Sequence, residues 1–78
     1  MDIGLAVTES GKSVTVFLNG NFTDGKEIIL SPLWTTDDFL QAAARRLGMA
    51  KATRMFTPDG HEVDDILYLE EKEILFVV

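Results

Sequence analysis

The sequence predicts an α+β fold in which a mixed sheet of four to five strands packs on one α-helix. Three observations predict it. Two short apolar alternations flank a turn-rich loop between residues 13 and 30, the pattern of a β-hairpin. Residues 34–48 carry the apolar spacing and both end signals of a helix. Residues 73–78 form a short, almost wholly apolar run, the composition of a strand held between neighbours.

Each element has a local reason. Ile3, Leu5 and Val7 alternate with Gly4 and Ala6, a weak strand signal, and Glu9 to Lys12 reads as a turn. Residues 1–12 are thus an extra N-terminal strand or arm. Val14, Val16 and Leu18 alternate with Ser13, Thr15 and Phe17, which predicts a strand with its Val/Leu face buried. Asn19-Gly20 tolerates positive φ and turns the chain. Lys26–Leu30 is the second strand, and the linker is too short for a helical crossover.

The helix is the best-marked element. Thr35 is an N-cap, with Asp38 three residues on as a capping-box partner. Trp34 and Phe39 have the spacing of a hydrophobic staple. Asp37 and Asp38 in the first turn, and Arg45 and Arg46 in the last, complement the helix dipole. Gly48 supplies the stop. Phe39, Leu40, Ala43 and Leu47 form the inward stripe, while Gln41, Arg45 and Asp38 face water. Lys51–Phe56 reads as a strand and Thr57-Pro58-Asp59-Gly60 as a turn. His61–Val63 resumes a short strand. Asp64–Leu69 is a turn of helix plus connector, capped by Asp64-Asp65. Glu73–Val78 is expected in the centre of the sheet, buried on both faces. Hairpin, helix, then strands, with the last strand central, is the β-grasp layout.

Composition bounds the rest. The 78 residues form one domain, expected to be the N-terminal module of a larger protein that begins at Met1. There is no cysteine, which excludes disulfides, thiolate metal sites and a thiol nucleophile and fits a reducing compartment. No apolar run approaches the ~20 residues of a membrane span, and the opening lacks a signal-peptide pattern. Asn21-Phe22-Thr23 is therefore turn sequence and not a glycosylation site. Charge is unevenly placed. Residues 1–39 hold six acids against two lysines; residues 40–58 hold Arg45, Arg46, Lys51 and Arg54 with no acid; residues 59–78 hold seven acids against Lys72. The net charge of −6 opposes nucleic acid and anionic lipid, so neither is expected as a partner.

No catalytic set is legible, and an enzyme is not expected. His61 has no nucleophile or pocket to serve and reads as an exposed turn residue. Asp59, Glu62, Asp64 and Asp65 lack the ligand spacing of a calcium loop. Ser10, Ser13 and Ser31 lack an elbow motif, and Gly20 and Gly25 make no phosphate-binding pattern. No metal or other cofactor is expected. The chain ends Phe76-Val77-Val78 without a glycine pair, which opposes use as a covalent modifier.

Val14–Asn21, Asp24–Leu30, Phe39-Leu40 and Arg54–Gly60 together resemble a doublecortin domain. Asp59-Gly60-His61-Glu62-Val63-Asp64-Asp65-Ile66, with Glu73–Val77 at the end, resembles the KHA domain more closely. The resemblance spans about residues 13–78 and implies the ubiquitin-like fold that both families share. It also implies a non-catalytic, cytoplasmic protein–protein interaction module. KHA domains self-associate; doublecortin domains meet tubulin and other cytoskeletal partners. A self-associating or scaffolding role is the main expectation, with microtubule binding as the alternative. The departure from the doublecortin pattern is electrostatic, because microtubules are acidic and this chain is too. The expected partner-binding residues are Arg45, Arg46, Lys51, Arg54 and the aromatic anchor Trp34. Asp64, Asp65, Glu70 and Glu71 form an acidic counter-face, which would meet the basic patch of another copy in a weak head-to-tail oligomer. A sheet edge open to strand addition is a further route.

Overall fold

The computed structural model describes residues 12–78. The expected Ile3–Val7 strand and the start of the turn at Glu9 lie outside them. Among the described residues there are five strands: β1 Ser13–Leu18, β2 Lys26–Ile29, β3 Met55–Phe56, β4 Glu62–Val63 and β5 Glu73–Val77. They join one helix, α1 Thr36–Leu47, and a 3₁₀ turn at Ile66–Tyr68. The sheet order is β2-β1-β5-β3-β4. β1 pairs antiparallel with β2 and parallel with β5, and β3 pairs antiparallel with both β5 and β4. The sheet is mixed and α1 crosses one face, an α+β arrangement compatible with a β-grasp.

The helix begins and ends where its side chains say it should. The Thr35 hydroxyl accepts from the Asp38 N–H at 3.1 Å, and the Asp38 carboxylate accepts from the Thr35 N–H at 3.0 Å. That reciprocal box satisfies two of the donors that every helix start leaves open. Gly48 closes the other end in the left-handed region at φ 73°, where a Cβ is disfavoured.

The core lies between α1 and the inner sheet face. Phe39, Leu40 and Ala43 of the helix meet Val14, Val16, Ile28, Met55, Leu75 and Val77 of the sheet. Ile66 and Leu69 of the 3₁₀ segment seal one end. Ile66 is tied to the helix by its N–H, which donates to the Thr36 hydroxyl at 3.1 Å. Asp65 caps this short turn by accepting from the Leu67 N–H.

Three expectations are corrected. β5 is central, as its composition indicates, but it is buried on one face only. Leu75 and Val77 are fully covered, whereas Ile74 is 42% exposed. Among the described residues a single helix covers a single face, so the apolar residues of the alternate register have no layer above them. Lys51–Phe56 pairs as a strand only at its end, because the chain first reaches β5 where Arg54 exchanges backbone bonds with Val78. Leu18 is 40% exposed because it ends β1 beyond the cover of the helix.

Candidate interaction surfaces

Strand alternation sorts the sheet residues into two sets. Val14, Val16, Ile28, Met55, Val63, Leu75 and Val77 point to α1. The other set points away from it and includes Phe17, Ile29, Phe56, Ile74 and Phe76. Register turns three of these rings into a row. Phe17 lies opposite Phe76 across β1 and β5, and Phe76 lies opposite Phe56 across β5 and β3. Phe17 stacks on Phe76 with centroids 5.5 Å apart. Phe22 reaches in from the β1–β2 loop and sets its edge against Phe76 at 5.1 Å, while itself remaining 70% exposed. Four of the five phenylalanines of the chain thus lie on the uncovered side, and only Phe39 is in the core.

The charged residues of this face are few and locally matched. Arg54 Nε and Nη2 donate to Glu62 Oε2 and Oε1 at 3.2 and 3.0 Å, a two-point contact. The guanidinium also lies 5.1 Å from the centre of the Phe56 ring. The hydrogen bond from Arg54, reinforced by its charge, holds the Glu62 carboxyl below the usual glutamate range. The same contact raises the Arg54 value. The Ser13 hydroxyl donates to Glu27 on the opposite flank.

The basic residues singled out from the sequence do not form one patch. Arg45 and Arg46 are exposed on the last turn of α1, and Arg45 lines a shallow depression together with Lys51. Arg54 lies on the far side of the sheet, bound to Glu62. Trp34 is half-buried, 6.5 Å from the Phe39 ring, as a staple requires. One side of Trp34 also lines an open groove of about 270 Å³ with Leu30, Pro32 and Leu67. Of the acidic residues, Asp65 caps the 3₁₀ turn and Glu71 accepts from the Ser13 N–H at 3.1 Å. Asp64 and Glu70 are exposed.

His61 is exposed, 3.7 Å from the Asp59 carboxylate. Asp59 accepts from the Thr57 hydroxyl at 2.7 Å, which lowers its pKa and ties it into the turn. Among the described residues no three of His, Asp and Glu gather as a metal would need. Nor, among them, is any helix long and apolar enough to cross a membrane. The phenylalanine row was the surface that sequence reasoning missed. Its signal is the apolar residues in both alternations of β1 and β5, a pattern that at β5 equally predicts two-sided burial.

Residues 12–77 match the profile of a family described as "KHA, dimerisation domain of potassium ion channel". The chain is also similar to the BTB/POZ domain-containing protein KCTD9 of Mus musculus, 36% identical over 66 residues, covering 85% of this chain and 19% of that protein. The Homo sapiens protein of the same name is likewise 36% identical over 66 residues, with 85% and 16% covered. The chain spans less than a fifth of the length of these curated relatives.

Proposed function

The chain belongs to the KHA family, and from that premise we propose that it is a non-catalytic protein–protein interaction module that associates with a second copy of itself. The observation that supports this most directly is the extent of the family match. A profile described as a dimerisation domain spans residues 12–77, nearly all of the described fold and both faces of its sheet. The physical form of the molecule supports the same reading. Among the described residues, one face of the sheet is covered by α1 and the other carries partly exposed rings, with no enclosed site lined by converging acids and bases. In a longer protein, such a module would bring two chains together and act as a scaffold.

The cytoskeletal reading has weaker support. It needs Arg45, Arg46, Lys51 and Arg54 as one basic surface. Arg54 is paired with Glu62 and lies across the sheet from the others. With a net charge of −6, little remains to attract an acidic lattice.

Sedimentation velocity or light scattering across a concentration series from micromolar to millimolar tests the proposal. A mass that rises from one chain to two is expected. A single-chain mass over the whole range rejects self-association.

A further inference from the structure

We propose that the second copy docks on the open face of the sheet, phenylalanine row against phenylalanine row, about a two-fold axis. This rests on the self-association reading and names its surface. Three observations carry it.

The first is chemical. Phe17 and Phe22 are in ring contact with Phe76, Phe56 lies opposite Phe76 across the β3–β5 pair, and the patch is flanked by Ile74 and Ile29, which are 42% and 60% exposed. Aromatic residues are enriched in the buried centres of interfaces, and a contiguous apolar patch of this kind marks a contact surface.

The second is electrostatic. Two copies of a chain with net charge −6 repel each other. By alternation, the outward side chains of the strands and of Arg54 beside them include only Glu27, Arg54 and Glu62 as charged groups, so like-charge repulsion across this face is small. A two-fold axis running along the strands lays β2 of one copy over β3 of the other. Phe17 of each copy then faces Phe76 of the other, because a rotation about the strand direction keeps each residue at its own level, and the contact is self-complementary.

The third is size. Strands of six, four, five, two and two residues, at about 4.8 Å spacing and about 3.3 Å per residue, cover on the order of 300 Å² in plan. The two faces together offer about 600 Å² in plan, so even with side-chain relief the contact is at or below the about 1,000 Å² of a specific interface. The dimer is therefore weak and concentration-dependent. Aligned sheet packing at about 30° accommodates the twist of both layers.

The groove beside Trp34 is the competing surface, and the head-to-tail charge contact is the competing geometry. Dimerisation of the 78-residue chain is measured for wild type, Phe22→Ala, Ile74→Ala, Leu33→Ala beside the groove, and the Arg45→Glu/Arg46→Glu pair. Thermal unfolding of each confirms that it folds. About tenfold or greater weakening is expected for Phe22→Ala and Ile74→Ala. Leu33→Ala and the arginine pair should change little.

A dilution series followed by amide chemical shifts on the wild type is independent of any variant. Shifts should concentrate on one surface, around Thr15, Phe17, Ile74 and Phe76. Raising salt should leave the dimer unchanged or strengthen it, because screening removes like-charge repulsion. A dimer that ignores the face substitutions, or that dissolves in salt and shifts two separate surfaces, overturns the proposal and leaves self-association standing. A wild type that never dimerises overturns both.

Discussion

Gly25 lies against the ring of Phe17, and the contact is tight enough to exclude any side chain. A Cβ at this position would sit 2.7 Å from Phe17 Cζ and 2.9 Å from Thr15 Cγ2. Phe17 is in turn stacked on Phe76, so the ring cannot yield without disturbing its partner. Gly25→Ala is expected to destabilise the fold by about 1–3 kcal/mol through overpacking, read by urea unfolding. A second residue-scale feature is the Arg54–Glu62 contact. Glu62 is depressed below its ordinary value in the folded chain. Its stabilising contribution is therefore complete above the unfolded-state value and is lost as pH falls through the folded-state value. Stability curves taken from neutral pH into the acid range should fall less steeply in Glu62→Gln than in wild type. Both groups are solvent-exposed, so the difference is expected to be small and to shrink with added salt.

At the scale of the element, α1 owes its limits to side chains that are adjacent in sequence. Thr35→Ala removes one half of the reciprocal capping box and should cost about 1 kcal/mol, measured by chemical denaturation. Thr36, one residue later, acts at long range. Its hydroxyl accepts the Ile66 N–H and fixes the 3₁₀ segment to the helix. Ile66 is buried, so Thr36→Val leaves a donor without its acceptor and should cost about 1–3 kcal/mol. Faster hydrogen exchange at Ile66, Tyr68 and Leu69 should accompany the loss. The capping box was legible in the sequence because its two members lie three residues apart. The Thr36–Ile66 bond was not, because its partners are separated by 30 positions and meet only through the path of the chain between them.

The whole molecule divides its phenylalanines between two tasks. Phe39 is completely buried, whereas Phe22 projects into solvent from the opposite side of the sheet. Phe39→Ala should destabilise the monomer by about 3–5 kcal/mol, enough to unfold a domain of this size under mild conditions. Phe22→Ala should cost at most about 1 kcal/mol, the value of one aromatic edge contact. Thermal denaturation of the two variants at low protein concentration separates the ring that folds the chain from the ring left exposed on the opposite side of the sheet. Net charge belongs to this scale as well. The excess of acids disfavours close approach of copies, and the face of the sheet away from α1 carries few charges to add to that repulsion.

Some features required only neighbouring residues, and the sequence alone determined them. These are the hairpin of β1 and β2, both ends of α1, the Pro58–Gly60 turn and the Asp65 cap. Turns, caps and periodicity act within a few residues, so their causes lie side by side in the chain. Tertiary structure alone decided which apolar residues are covered. Phe76 and Leu75 are equally apolar neighbours on one strand, and the sequence offered no ground for burying one and leaving the other half-open. The packing of one helix on one face made that choice. Pairing register then aligned Phe17, Phe76 and Phe56 from three distant segments, and it joined Arg54 to Glu62 on the side away from Arg45 and Arg46. Sidedness and register are properties of the assembled sheet, and no local signal carries them.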